Sequence, residues 1–302
     1  MATEKKIPVI LDCDTGGDDA MAMALAIASE KLQVLGVTTV AGNVPLDKVV
    51  RNTRNTLSCT DPAVPYAVGA AKPQARALID SGRPGHVLFE AYDQVENAPD
   101  ERDAVTFMAD LIRQSSDPVT LIPLAPLTNI AALLRQYPEL KSNIAQMVIM
   151  GGSFTGGNAT GYAEFNIYVD PEAAAEVFSA GIPLVMCGEE VCLQSRVGRP
   201  QIEALAALGN DQAKAFAEEL ELGLREGESI IFDAVTVAWL ERPEMFESRP
   251  AEVYIECADQ KRLGQTVVDF YAAQPNAVVP LNMDRQGFGQ MMVDLFAGYS
   301  RK

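Results

Sequence analysis

The chain is poor in the residues from which many sites are built. It has one histidine, His86, in 302 residues, one tryptophan, and five cysteines at Cys13, Cys59, Cys187, Cys192 and Cys257. No two cysteines form a C-x-x-C pair, and a lone His cannot complete a tetrahedral zinc set with them. An odd, scattered count reads as reduced thiols rather than a disulfide framework, which gives the expectation of a cytoplasmic protein. Basic residues are scarce as well: 24 Lys+Arg against 41 Asp+Glu leave a net charge of −17. A surface so acidic repels phosphate backbones, which argues against a polymeric nucleic acid partner and favours capture of cations. No apolar run reaches the 18 residues that a membrane helix needs, and Met1–Lys6 has neither the apolar core nor the cleavage site of a secretory leader.

What is present is an alternation of short apolar runs with helical patterns. Ile7–Leu11, Leu32–Val40, Val119–Leu124, Gln146–Met150 and Ile182–Cys187 read as buried strands. Asp18–Ser29, Leu46–Leu57, Thr128–Arg135, Glu172–Ala180 and Ala234–Leu240 read as helices. Such alternation predicts right-handed βαβ units in an α/β fold: an open, mostly parallel twisted sheet with helices on both faces. No composition shift or repeat divides the chain, so residues 1–302 read as a single domain, with a long mobile loop over Asp80–Pro99.

Ligands of such sheets bind beyond the carboxyl ends of the strands. Those positions are rich in oxygen: Asp12, Asp14, Asp18 and Asp19 after the first run, Asn43 after the second, Leu124 and Gly151-Gly152 after later ones, and Asp233 after Ile230-Ile231-Phe232. The first group is the most informative. Asp12 and Asp14 lie two apart at a strand end, Gly16-Gly17 allows a tight turn, and Asp18 and Asp19 open a helix. The helix dipole favours each of the latter by about 0.3–1 kcal/mol. That is too little, because two carboxylates ~5 Å apart repel by about 3 kcal/mol at an effective dielectric near 20. Protonation or a bound cation must make up the difference, and an all-oxygen set selects a hard ion such as Ca²⁺ or Mg²⁺. A dehalogenase-type, Mg²⁺-dependent phosphatase also has D-x-D after a strand, but it needs Thr or Val where this chain has Gly16.

The segment DCDTGGDDA resembles the D-x-D-x-x-x-D-D signature of the inosine–uridine-preferring nucleoside hydrolases. Further segments resemble that family in the same order. They are TTVAGN at 38–43, PLTNIA at 126–131, VIMGGS at 148–153, Asn158 with AEFNIYVDPEAA at 163–174, FDA at 232–234 and GQTVVD at 264–269. Each is short, but the ordered set spans nearly the whole chain.

The resemblance implies a Rossmann-like nucleoside hydrolase fold and Ca²⁺-dependent cleavage of ribonucleosides to ribose and free base. It implies a Ca²⁺ site made by Asp14, Asp19, the Leu124 carbonyl and Asp233, with Asp12 in support. A metal-held water would attack C1′ with inversion, Asp14 acting as general base. Asp18 and Asn166 would hold ribose hydroxyls, Asn158 and Glu164 the 5′-hydroxyl, with Met150 lining the sugar pocket and Asn43 nearby. A homodimer or homotetramer is implied too. The chain departs from the pattern where the base leaves: Phe232 and Ser81 stand where many members have His. His86 lies five residues beyond Ser81 and reads as a solvated loop residue, while Arg83, Tyr92, Phe154, Tyr162 and Trp239 are further candidates for touching the base. A ribose- or nucleoside-binding protein with little turnover is therefore the alternative.

Overall fold

The computed structural model describes residues 5–79, 81–82 and 85–301. The first half runs β1 (Ile7–Cys13), α1 (Gly17–Ala28), β2 (Leu32–Thr39), α2 (Leu46–Thr60), β3 (Tyr66–Val68), α3 (Ala104–Gln114), β4 (Val119–Pro123), α4 (Thr128–Gln136) and β5 (Ile144–Met150). After it come α5 (Phe165–Val169), α6 (Pro171–Phe178), β6 (Leu184–Cys187), α7 (Glu189–Cys192), β7 (Arg196–Gly198), α8 (Arg199–Ala207), α9 (Asp211–Leu222) and β8 (Glu228–Ile230). The chain ends with α10 (Ala234–Glu241), β9 (Phe246–Ile255), β10 (Thr266–Asp269), β11 (Ala277–Met283) and α11 (Arg285–Phe296).

Among the described residues, nine strands form one sheet in the order β10-β9-β11-β6-β5-β4-β1-β2-β3. All pairings from β11 through β6 to β3 are parallel, and β9 is antiparallel to both neighbours. The expected mostly parallel α/β sheet is thus present, with an antiparallel end that the sequence reading did not foresee. β7 and β8 form a separate two-stranded pair. Asp233, just after β8, therefore follows a strand of this small pair rather than one of the main sheet.

The strand order fixes where a ligand can bind. From β1 the chain steps outward through β2 to β3, then returns to β4 on the other side of β1 and steps outward again through β5 to β6. The connections part at the carboxyl ends of β1 and β4, which opens a crevice at that switch point. α1 lies behind the crevice and is buried from Asp19 to Ala28, as its all-round apolar sequence requires. Burial of Met21, Met23 and Leu25 contributes about 1.5–3 kcal/mol each. Asp170 explains the D-P-E-A-A segment: its carboxylate accepts from the Ala173 N–H at the start of α6, with Pro171 in the first turn. The same carboxylate accepts from Thr128 Oγ1 at 2.6 Å, locking α6 to α4.

The described part of the 80–99 segment is fastened to α2 and includes a single turn at Glu90–Tyr92. Asp93 accepts from Arg51, Arg54 and Asn55, and Leu88 bonds with Asn52 and Asn55. Asp80, Arg83 and Pro84 lie outside the described residues. All five cysteines are unpaired thiols. Among the described residues no helix is long and apolar enough to cross a membrane.

Candidate active site

One pocket is lined by Asp14, Asp18, Asn43, Leu124, Met150, Asn158, Glu164, Phe165, Asn166, Phe232 and Asp233. Ten of these were singled out from the sequence. The eleventh, Phe165, stands in the sequence only inside the AEFNIYVDPEAA segment.

Short segments at strand ends hold each group. Asp14 follows β1, and its Oδ2 accepts from the Asn43 N–H at 2.5 Å. Gly42 makes this approach possible, because a Cβ there would fall 2.2 Å from Asp14 Oδ2. Gly42→Ala is therefore expected to displace the Asp14 carboxylate and lower kcat/KM tenfold or more in steady-state assays. Asp19, in the first turn of α1, accepts from the Gly16 N–H at 2.9 Å and the Asp14 N–H at 3.2 Å. Asp12 sits one strand register behind, where Thr38 Oγ1 and Asn129 Nδ2 donate to its Oδ1 at 2.6 and 2.8 Å. Its Oδ2 is buried with no partner among the described residues.

Asp233 precedes α10, yet among the described residues its side chain caps no helix N–H. It turns instead toward α1, where Asp18, Asp19 and Asp233 bring carboxylate oxygens within 4.8 Å of one another. Asp14 is outside that trio, its Oδ2 being held at Asn43. Burial, then the charges of Asp14 and Asp18, raises the Asp19 carboxyl well above its ordinary range. Asp233 is raised likewise, by burial first and then by Asp18, Asp19, Asp14 and Glu164. Burial also lifts Asp12 to about 7 against the opposing bonds from Thr38 and Asn129. This is the energetic signature of carboxylates gathered without a counter-charge. The Cys13 thiol is likewise pushed well above its ordinary range, by burial first and then by the charges of Asp19, Asp12, Asp233 and Asp14. Clustered carboxylates without nitrogen or sulfur fit a hard divalent cation.

On the other wall, Glu164 opens α5. Its Oε1 accepts from the Asn166 N–H at 3.0 Å, and its Oε2 from the Gly152 and Ile167 N–H groups at 3.1 and 3.3 Å. Burial raises its carboxyl to about 7 despite these bonds. Asn158 Oδ1 accepts from the Phe165 N–H at 2.9 Å. Asn166 Nδ2 donates to the Leu124 carbonyl at 2.9 Å and to the Met150 carbonyl at 3.2 Å. The carbonyl expected among the cation ligands thus already accepts one hydrogen bond.

The profile of the inosine-uridine preferring nucleoside hydrolases matches residues 9–290. The chain belongs to that family. The pyrimidine-specific ribonucleoside hydrolase RihA of Shewanella woodyi is 43% identical over 97% of this chain and 99% of its own length. RihA of Salmonella schwarzengrund is 40% identical over the same shares. Among solved structures, a purine-preferring ribonucleoside hydrolase from Gardnerella vaginalis superposes with a TM-score of 0.84 at 25% identity, covering 97% of this chain and 99% of that one. A plant nucleoside hydrolase gives 0.85 at 22% identity over the same shares.

In this member of the nucleoside hydrolase family, Phe232 lines the pocket beside Asp233, while Ser81 Oγ donates to the Asn43 carbonyl at 2.5 Å. Of the other candidates for the base, Phe154 meets Phe270 edge-on at 5.4 Å and Trp239 meets Phe246 at 5.3 Å, and neither is among the residues that line the pocket. Tyr92 packs on the core, and Tyr162 is likewise not in that lining. Arg83 lies outside the described residues. His86 is exposed as expected, but it has a partner that its neighbours in sequence did not indicate: Nε2 lies 2.6 Å from Glu219 Oε1 on α9.

Proposed function

We propose that this nucleoside hydrolase cleaves the N-glycosidic bond of ribonucleosides in a Ca²⁺-dependent, inverting reaction. The observation that carries the reading is the convergence, in one pocket, of Asp14, Asp18 and Asp233 on one wall and Asn158, Glu164 and Asn166 on the other. Asp14, Asp19, Asp233 and the Leu124 carbonyl would hold the cation, with Asp12 behind. When bound, the cation supplies a positive charge that acidifies a water and grips a vicinal diol.

The protein's own groups supply the rest. Asp14, fixed by Asn43 and Gly42, takes the proton from the attacking water. Asp18 accepts from a ribose hydroxyl. Asn166 commits its amide nitrogen to the Leu124 and Met150 carbonyls, so its oxygen is the end offered to a ligand hydroxyl. Asn158 and Glu164 face the 5′-hydroxyl, and Met150 packs on the sugar. Breaking the bond develops positive charge on the ribose, and buried carboxylates fixed in advance stabilise that charge as it forms.

Neither Phe232 nor Ser81 can protonate the departing base near neutral pH. Phe232 offers an apolar face against which a base can rest. Substrates whose base leaves readily are therefore favoured, and the pyrimidine-specific names of relatives 40–43% identical make uridine and cytidine the first to try.

A p-nitrophenyl riboside, whose leaving group needs no acid, separates an enzyme from a binding protein. Release of nitrophenolate is expected, abolished by chelator and restored by Ca²⁺. Ca²⁺-dependent ribose binding without release would replace the enzyme reading with the binding one, and Mg²⁺-dependent release of phosphate from phosphate esters would favour the phosphatase.

A further inference from the structure

α2 carries two buried asparagines three residues apart, Asn52 and Asn55, on one face of the helix. Both fasten the segment after His86. The Leu88 N–H donates to Asn52 Oδ1 at 3.0 Å, and Asn52 Nδ2 donates to the His86 carbonyl at 3.3 Å. Asn55 Nδ2 donates to the Leu88 carbonyl at 3.0 Å and to Asp93 Oδ1 at 2.8 Å. Among the described residues, Asn52 but not Asn55 also reaches the acidic turn. Its Nδ2 also donates at 3.0 Å to the carbonyl of Thr15, in the turn that joins Asp14 to Asp18. The Thr15 hydroxyl lies 2.6 Å from that of Thr53, so α2 holds this one turn residue by both main chain and side chain.

The turn needs such a hold. Gly16 and Gly17 give it broad backbone freedom, and the carboxylates on either side repel one another and the facing Asp233. Left to those forces, it would open before a cation arrived. Asn52 opposes this with a neutral donor anchored in a helix, which adds no charge to the cluster.

We propose that Asn52 is a positioning residue for the cation. It acts through the Thr15 carbonyl, fixing the acidic turn in its binding geometry and in register with the 86–88 segment. This rests on the cation reading above. Binding to a preorganised turn avoids the ordering cost that a loose one would incur.

Asn55 is the internal control, since it is equally buried, pins the same segment and, among the described residues, has no bond to the turn. The experiment is calorimetric titration of the metal-free, full-length protein with CaCl₂, beside a thermal melt, for wild type, Asn52→Ala and Asn55→Ala. Both variants are expected to melt earlier, because each leaves buried backbone groups unpaired. The Kd for Ca²⁺ is expected to rise tenfold or more in Asn52→Ala and to stay within threefold of wild type in Asn55→Ala. Asn52→Ser, a smaller truncation, gives the same comparison if the alanine variant does not fold. Equal shifts in the two positions, or an unchanged Kd at position 52, overturn the inference while leaving the cation reading intact. A wild-type protein that takes up no Ca²⁺ overturns the cation reading and this inference with it.

Discussion

Asp14→Asn is expected to lower kcat by about 10²–10⁴-fold at saturating Ca²⁺, with KM within a few-fold of wild type. The substitution keeps the size and the bond from the Asn43 N–H but removes the proton acceptor. Asp14 is buried at the end of β1, and its carboxylate accepts from the Asn43 N–H in space that Gly42 leaves open. A carboxylate fixed by a backbone N–H suits a base that has to meet one water in one direction. Asp14 is also proposed as a ligand, so the assay is run across a Ca²⁺ series. A residue that serves only as a ligand gives a variant whose kcat returns to wild type at high Ca²⁺. A base gives one that stays slow when saturated. Retention of more than a tenth of wild-type kcat at saturation would sink the assignment of Asp14 as base.

Several parts of this site were legible because local sequence dictates them. An apolar run followed by D-x-D and Gly-Gly fixes a strand, a turn and a helix start within about ten residues, and β1, α1 and the acidic turn appear where that pattern puts them. The same holds for Asn43, Leu124 and Met150, which lie at or just beyond the carboxyl ends of β2, β4 and β5, strands made mostly of β-branched or apolar residues. Other parts depended on contacts between distant segments. Asp12 finds Thr38 because the two are partners in the parallel β1–β2 register, which the sequence of either strand alone does not contain. Asp233 stands directly before α10, where a helix cap is the local expectation; packing of α10 on α1 turns its carboxylate toward Asp18 and Asp19 instead. β9 was not foreseen because most of its first half is exposed and polar, with Pro250 inside it, so it lacks the apolar run that marks the central strands. Glu219 lies 133 residues from His86, and only the docking of α9 beside Gly17 brings them together.

The metal-free protein is expected to lose stability as pH rises from about 4 to about 7, and Ca²⁺ is expected to reverse that loss. Asp12, Asp19, Asp233 and Glu164 all have folded-state pKa values raised above those of the unfolded chain, Asp12 and Glu164 to about 7. Between the unfolded and folded values the folded state binds more protons, so raising the pH favours unfolding. Below about 4 these groups are protonated in both states and the effect is fully present as stabilisation; above the folded values it is gone. Asp93 and Asp100 act in the opposite sense. Their carboxyls are lowered chiefly by hydrogen bonds from Arg51 and Arg102, so their contribution is lost as pH falls below the ordinary Asp value of 3.8. The apo protein should therefore melt highest near pH 4–5 and lower at pH 7.5. A tenfold difference in proton affinity between the folded and unfolded chain corresponds to about 1.4 kcal/mol, and about 1 kcal/mol moves Tm by roughly 2–4 °C in chains of 150–250 residues, so the fall should exceed several degrees. A cation needs the carboxylates deprotonated. Added Ca²⁺ should accordingly raise Tm strongly at pH 7.5 and hardly at all at pH 4.5, as differential scanning fluorimetry across the range would record. Asp233→Asn removes one of the mutually repelling charges, so it should raise the apo Tm at pH 7.5 while abolishing most of the Ca²⁺ response. A Ca²⁺ shift equal at both pH values, or an apo protein more stable at pH 7.5 than at pH 5, would mean that these carboxylates are not held together against their own charge.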